Sequence, residues 1–383
     1  MVKGVSKYFK GDKVIWAVVI ALFVVSLIVV YSASGSFAYM KAGSSTYYFF
    51  RHAKFLLIGL FITYFTHRIP YIYFSKLALL FYKASIPLLV ITLFLGVSIN
   101  SASRWLTIPG LGIEFQTSDL AKIALIMYVA RLLAQNQTQN SDPGLLFKQI
   151  IVPVLIICCL ILPANFSTAA ILFGTCWVLM FVGRVDKKYL IRSVLVILGM
   201  GVFLIILVMS MPGKGRIGTW KNRIENYVSG DSKSNHQADQ AKIAIATGGL
   251  TGKGPGNSTQ RNFLPQAFSD FIYAIIVEEY GIVGGIFILL LYLYLLFRTG
   301  MLAKKSSRSF ATFVAIGLTL SLVIQAMTNM AVAVGIFPVT GQTLPLISMG
   351  GTSILFTSLA LGIILSVSRS VNESFKAEEG AIV

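Results

Sequence analysis

Charged residues are scarce in this chain of 383 residues: they make up 12% of it, and histidine and cysteine occur only three times each. Apolar residues make up 56%, and the mean hydropathy is +0.79. A water-soluble globule needs more polar surface than this composition supplies, which excludes a soluble domain. All three cysteines lie inside apolar runs, which excludes a disulfide framework and a cysteine metal centre: Cys158, Cys159 and Cys176.

Several catalytic motifs are also absent. The sequence has no GxxxxGK[ST] phosphate loop and no HExxH zinc motif, and it offers no serine triad with His52, His67 or His236. A nucleotide-driven pump is therefore not expected, and any chemistry must use carboxylates, basic groups and backbone. The net charge of +18 falls mostly between apolar runs, so we expect no nucleic-acid partner.

Long apolar stretches dominate the chain. A helix needs about 20 apolar residues to cross the hydrocarbon core, and ten stretches come near that length. They predict an all-α polytopic membrane protein of about ten transmembrane helices, a single membrane domain over residues 1–383 whose solvent is the lipid bilayer. The stretches are 14–33, 50–67, 77–99, 118–134, 149–164, 167–183, 189–211, 270–297, 310–336 and 344–368.

The distribution of Lys and Arg predicts the orientation. With a cytoplasmic N-terminus, the short loops and ends on that side carry 18 of them, against four on the other side. Both termini should then be cytoplasmic, with residues 369–383 as a tail. Residues 212–269 should form one large extracytoplasmic loop between helices 7 and 8. We expect the first stretch to be a retained anchor and not a cleaved signal peptide.

Ionisable residues inside spans predict functional sites, because burying them in a membrane is costly. Asp119 and Lys122 lie three residues apart on the fourth stretch, where they can pair. A structural ion pair and a functional pocket both fit this spacing. Thr117 or Ser118 could also cap that helix, with Asp119 in its first turn.

A second acidic cluster begins at the outer mouth of the eighth stretch. On a helix starting at Asp270, Glu278 lies about 80° around from it and Glu279 about 180°, so the three cannot share a face. Aromatic neighbours would desolvate Asp270 and favour a general base. A helix-capping role is the alternative, with Ser269 as the competing cap.

Basic residues are predicted on the same side of the membrane as Asp270. They suit an anionic lipid-linked substrate, and a lipid diphosphate leaves without a general acid, so one base would suffice. Residue chemistry alone leaves open transfer from such a lipid or transport of it. These basic residues are Arg104, Arg216, Lys221, Arg223, Lys242, Lys253 and Arg261.

Four segments together resemble one family. SASRWL, QTSDLAK, GNSTQRNFLPQAFSDFIYAIIVEEYG and FPVTGQTLPLISMGGTS are similar, in this order, to signature segments of the SEDS family of FtsW, RodA and SpoVE. The similarity spans essentially the whole chain. The GNS-type loop and the GQTLPLIS segment look closer to FtsW, the division member, than to RodA, the elongation member.

The resemblance implies a peptidoglycan glycosyltransferase that polymerises lipid II in the cytoplasmic (inner) membrane, at the division septum for an FtsW-like member. It implies a class B penicillin-binding protein transpeptidase (FtsI-like) and other divisome proteins as partners. Asp270 matches the family's proposed base for the acceptor sugar's 4-hydroxyl. Arg104, Asp119 and Lys122 match cavity positions, and the final motif matches Gly350, Gly351, Thr352 and Ser353.

Further candidates for the substrate cavity are Arg216, Arg223, Arg261, Glu278 and Glu279. Glycines at membrane depth, such as Gly350 and Gly351, fit either tight helix packing or a lined cavity. No ligand cluster predicts a metal, although a divalent cation, Mg²⁺ or Mn²⁺, could shield the diphosphate.

The sequence departs from the family pattern at several positions. Asn165 stands where the family usually has Asp, and Gln266 and Phe268 replace a glutamate and a histidine in the run before Asp270. Asp119 replaces the commoner Glu, which keeps the charge and shortens the reach. The alternatives to a polymerase for division are a RodA-like elongation polymerase, a lipid II flippase and a noncatalytic divisome scaffold.

Overall fold

The computed structural model describes residues 9–34, 45–99, 102–108, 113–139, 142–210, 236–264, 267–306 and 308–382. Most of them are helical. The helices are α1 (Lys13–Ala33), α2 (Ser45–Arg68), α3 (Tyr71–Leu95), α4 (Thr117–Gln139), α5 (Pro143–Ile161), α6 (Phe166–Val182), α7 (Lys187–Ser210), α8 (His236–Gly248), α9 (Ile272–Lys305), α10 (Ser309–Ala333) and α11 (Thr352–Ile382).

Within the described residues, six helices are long and apolar enough to cross a membrane: α1, α3, α5, α9, α10 and α11. The mostly helical membrane character predicted from composition is thereby confirmed. Each of the ten predicted stretches overlaps a helix, and α8 lies inside the segment predicted as a loop. The number of spans, the side each end faces and the location of the large loop stay predictions.

A small sheet corrects the all-α prediction. Strands β1 (Val97–Ile99), β2 (Ala102–Ile108) and β3 (Ile113–Gln116) form an antiparallel sheet in chain order. In its register Trp105 lies opposite Gln116, while β1 takes the last residues predicted for the third span. Adjacent strands satisfy each other's backbone groups, so this polar connection needs no helix.

Close helix packing places α11 against α2. A methyl group at Gly59 would lie 2.5 Å from Ser358 Oγ, and one at Gly362 would lie 2.5 Å from Thr66 Cβ. Between them the Thr63 hydroxyl lies 3.0 Å from the Ser358 carbonyl oxygen. Small residues let two backbones approach, as in helix pairs packed within membranes. This contact fixes the start of α11, where the final motif lies.

Helix α10 lies inside the helix bundle. In an apolar stretch of 18 residues within this helix, 72% of the residues are buried, and the helix packs against α4, α6, α9 and α11. The buried polar side chains on α10, among them Gln325 and Asn329, therefore face the protein interior.

At one end of the bundle, Asp12 ties three helices together. Its carboxylate accepts from Val14 N at 2.9 Å, capping α1, and pairs with Arg298 of α9 at 2.7 Å. Its backbone N–H donates to Ser368 of α11 at 2.5 Å. Helix α11 continues through the segment predicted as a cytoplasmic tail and ends at Ile382.

Candidate active site

Asp270 lies in a non-helical turn just before α9. The helix begins at Ile272, and its N-cap, Phe271, makes no side-chain capping bond. Neither Asp270 nor Ser269 therefore caps the helix, which also corrects the helical angles expected for the acidic cluster. The Ser269 hydroxyl donates to Asp270 Oδ1 at 2.9 Å, and the Asp270 side chain is half-buried.

The segment 341–351 runs beside this turn in non-helical form. The tenth span was predicted from residue 344, but α11 begins only at Thr352. Gly341 has a φ of +66°, and a methyl group there would lie 3.5 Å from Asp270 Oδ2. Leu346 also has a positive φ of 66°, a strained conformation for a residue with a side chain. Residues in such conformations persist only where the surroundings hold them in place.

Asp119 and Lys122 pair at 2.8 Å at the start of α4. They line a narrow cleft between α4, α10 and α11 with an interior volume of about 20 Å³, and Ser353 of the final motif lines the same cleft. Asp119 is 4% exposed, and its Oδ2 has no hydrogen-bond partner among the described residues. A buried acceptor of this kind is costly unless a donor fills the cleft, which makes the cleft a candidate binding site.

The rest of the final motif fastens α11 to the sheet. Gly351 has a φ of +54°, and the Thr352 hydroxyl at the helix start donates to Glu114 O of β3 at 3.1 Å. Gly350 precedes this turn, and a methyl group there would lie 3.2 Å from Ser353 Cβ, closer than ordinary packing. The predicted motif residues thus form the junction between helix, sheet and cleft.

Glu278 is fully buried under the glycine-rich segment 249–260. Lys253 Nζ lies 2.6 Å from its carboxylate, and the Thr259 N–H and hydroxyl donate at 3.1 and 2.8 Å. The Gln260 N–H donates at 3.2 Å, and Ser258 donates through its hydroxyl. A carboxylate so engaged holds the loop, and its role in the substrate cavity stays a prediction.

Glu279 is 1% exposed and also binds the glycine-rich loop. It accepts hydrogen bonds from the Ser32 hydroxyl of α1 and from the backbone of Gly256 and Ser258. Arg261 lies near this carboxylate and donates from Nη1 to Ser32 O at 3.1 Å. Arg261 thus joins the loop to α1.

A kink in α9 makes room for the loop. Gly281 has φ 69° and ψ −174°, outside the helical region. A methyl group at Gly252 would clash with the backbone of Glu279 and Gly281. Successive backbone N–H groups in glycine-rich loops often bind anions. Here two carboxylates from α9 occupy that position, so this loop does not form a free cradle for a diphosphate.

Other predicted site residues are described only in part. Arg216 and Arg223 lie outside the described residues, as does Lys221. The backbone of Arg104 lies in β2, and its side chain is outside what the structure describes.

Two polar residues of α10 were missed by the sequence analysis. Gln325 and Asn329 lie four residues apart on α10, and both are buried. Polar amides at helical spacing inside an apolar stretch were the available signal. Over the described part of the chain, no three His, Cys, Asp or Glu side chains converge as metal ligands.

Comparisons with known proteins give consistent matches over nearly the whole length. The family model of FtsW, RodA and SpoVE, described as "Cell cycle protein", matches residues 12–373. Stage V sporulation protein E of Bacillus subtilis (strain 168) is 32% identical over 376 residues, 95% of this chain and 98% of its own. A probable peptidoglycan glycosyltransferase FtsW of Coxiella burnetii is 31% identical over 92% of this chain and 95% of its own.

One solved structure matches the fold closely. It is described as "Structural coordination of polymerization and crosslinking by a peptidoglycan synthase complex", and it superposes with a TM-score of 0.74 at 25% identity. The match covers 94% of this chain and 98% of that one.

Proposed function

The chain belongs to the family of FtsW, RodA and SpoVE, and from this membership we propose that it is a peptidoglycan glycosyltransferase that polymerises lipid II. It works at the outer face of the cytoplasmic membrane and builds glycan strands during cell division. The observation that carries the proposal is the position of Asp270, half-buried in a turn at the mouth of α9.

Asp270 acts as the general base on the acceptor sugar hydroxyl. The Ser269 hydroxyl donates to Oδ1, and the residue facing Oδ2 is a glycine, Gly341, at which an added methyl group would lie 3.5 Å from that oxygen. An ionised carboxylate offers about four lone-pair sites, so a carboxylate that already accepts from Ser269 can still take a proton from the substrate. The acceptor hydroxyl displaces the lipid diphosphate in a single inverting step, and the diphosphate leaves without a general acid, so one base on the acceptor side is enough.

The leaving diphosphate is stabilised by cations of the chain. Lys122 faces the cleft that Asp119 and Ser353 also line, and Arg261 lies in the loop preceding Asp270. Arg104, Arg216 and Arg223 complete the basic surround in this proposal. Any divalent cation would arrive with the diphosphate, and EDTA titration of the polymerase reaction tests its need.

The partner is a class B penicillin-binding protein transpeptidase, FtsI-like, together with other divisome proteins. Support comes from the similar solved fold, which belongs to a peptidoglycan synthase complex that couples polymerization and crosslinking. The division septum is then the expected location. Depletion should give filamentous cells, whereas rounded cells would indicate an elongation polymerase.

The test uses purified protein with its transpeptidase partner and labelled lipid II. Wild type should form glycan polymer and release undecaprenyl diphosphate, and Asp270→Asn should form neither while folding normally. Asp239→Asn is the matched control, because Asp239 pairs with Lys242 at 3.5 Å in α8 and has no proposed role in the reaction. Polymer from Asp270→Asn at the control's rate defeats the mechanism.

Two rival functions give different outcomes. Vesicles in which the wild type moves lipid II between leaflets without making polymer would favour a flippase, which the buried Asp119–Lys122 pair would also suit. Cells that divide normally with Asp270→Asn would favour a noncatalytic scaffold.

A further inference from the structure

The turn that carries Asp270 is bound at three successive backbone carbonyls. The oxygens of residues 268, 269 and 270 accept, in order, from Met349 N at 2.9 Å, the Ser348 hydroxyl at 2.6 Å and Asn329 Nδ2 at 2.8 Å. The first two donors belong to the non-helical segment 341–351. The third is a side chain of α10, and it contacts the residue proposed as the base directly.

The Asn329 amide joins the two segments. Its Nδ2 carries two N–H groups, and it donates one to Asp270 O at 2.8 Å and one to Gln342 O at 2.7 Å. Two acceptors on one side of the amide fix its orientation, since a flipped amide would set its oxygen against two carbonyl oxygens. Asn329 is 1% exposed, so no water replaces these bonds without a rearrangement.

Gln325 lies one helical turn away on the same face of α10. Its Oε1 accepts from Lys122 Nζ at 3.1 Å, and its Nε2 donates to Thr343 O at 3.0 Å. The carbonyls of the adjacent residues 342 and 343 are therefore held by two side chains of one rigid helix. One of those side chains contacts the cleft lysine, and the other contacts the Asp270 turn.

We propose that Asn329 and Gln325 are positioning residues that hold the Asp270 turn in register with the Lys122 cleft through the carbonyls of residues 342 and 343. This inference rests on the proposed function. A base must stand within hydrogen-bond reach of the proton it takes, and a displacement of about 1 Å can cost about a hundredfold in rate. The strained φ of Leu346 in the same segment fits a chain held by external bonds.

Two variants test the role with little change in shape. Asn329→Asp exchanges both N–H donors for an oxygen that faces two carbonyls. Gln325→Glu keeps the acceptor for Lys122 and removes the donor to Thr343. The matched control is Thr328→Val on α10, because the Thr328 hydroxyl bonds only within its own helix, to Ile324 O at 2.8 Å.

The kinetic readout is kcat against KM for lipid II in purified protein with its partner. Asn329→Asp should lower kcat about 10-fold to 100-fold with KM within about threefold, and Gln325→Glu should lower it less. Thr328→Val should keep the wild-type kcat. A general loss of structure would instead lower abundance and thermal midpoint, and Gln325→Glu carries the test if Asn329→Asp does not fold.

Hydrogen–deuterium exchange supplies a readout that needs no activity. The Leu344 N–H, bonded to the Ser348 hydroxyl at 2.8 Å, and the Met349 N–H should exchange faster in Asn329→Asp than in Thr328→Val, with the helices unchanged. An inactive wild type would defeat the proposed function, while the exchange rates would still test whether Asn329 holds the Asp270 turn and the 341–351 segment together. Equal exchange in the two variants, or equal kcat with an active wild type, overturns the inference.

Discussion

Replacing Glu278 by alanine should loosen the glycine-rich loop more than any change on the exposed surface. The substitution removes the acceptor for Lys253 Nζ, two Thr259 donors, the Gln260 N–H and the Ser258 hydroxyl. Truncating one member of a buried ion pair typically costs 3–5 kcal/mol. Since the Lys253 side chain is 29% exposed and regains some hydration, we expect about 3 kcal/mol, at the lower end of that range.

Glu278→Gln should fall between wild type and the alanine variant. One amide oxygen can keep the bonds made by Oε1, whereas the new NH₂ faces the Gln260 N–H, which donates to Oε2 at 3.2 Å. Losing the charge and one charge-assisted bond should cost about 2 kcal/mol. Glu373→Gln is the control, because that carboxylate is 51% exposed in ion pairs with Lys10 and Arg369 and should cost less than about 1 kcal/mol.

The assay is the midpoint of thermal unfolding in detergent, followed by size-exclusion chromatography with fluorescence detection. The expected order is wild type close to Glu373→Gln, then Glu278→Gln, then Glu278→Ala. Limited proteolysis should cut first within residues 249–260 of the alanine variant. A midpoint of Glu278→Ala equal to that of Glu373→Gln would refute the conclusion that Glu278 holds the glycine-rich loop in place.

Three further substitutions have clear expected outcomes in the same measurement of the thermal midpoint, and the third is also assayed for polymerisation of lipid II. Gly281→Ala should destabilise the protein by about 1–3 kcal/mol or more, because its φ of 69° with ψ of −174° suits glycine alone. Gly300→Ala is the control: no neighbouring atoms crowd this helical glycine, so the change should be neutral or stabilise by up to about 1 kcal/mol. Equal midpoints of the two variants would contradict the explanation from backbone conformation. Asp12→Ala should cost about 1 kcal/mol more than Asp12→Asn, since asparagine keeps the α1 cap; equal midpoints would mean that the cap adds nothing. Lys122→Met should cost about 3–5 kcal/mol, because it leaves Asp119 buried and unpaired. Adding Asp119→Asn should recover most of that loss without restoring polymerisation. A double variant no more stable than Lys122→Met alone would refute this account.

Much of the helical framework was predictable, and its local irregularities were not. Apolar length located the long apolar helices, because a stretch near 20 residues has few other stable environments, but it missed the polar helix α8. The same criterion extended the third span into β1 and the tenth back to residue 344. Both errors lie where backbone groups find partners outside a helix, and an apolar count carries no information about such partners.

The candidate site shows the same division. Asp119 and Lys122 are three residues apart, so helical spacing already predicted their pairing, and the pair lies at 2.8 Å. Glu278 and Glu279 stood out as costly charges, but their partners lie in a glycine-rich loop whose fold no periodicity predicts. Asn329 was missed because two amides four residues apart, Gln325 and Asn329, give only a weak signal in an otherwise apolar helix.

Composition and apolar patterning were enough to indicate a helical membrane protein with polar residues at membrane depth, and four motif segments carried the family resemblance that the comparisons confirm. The surroundings of Asp270 required the folded chain. Ser348 and Ser269 are 79 positions apart, and Asn329 and Asp270 are 59 apart. Hydrogen bonds over such separations form only after helix packing has brought the segments together. Local spacing therefore predicts which groups need partners, and packing determines which partners they find.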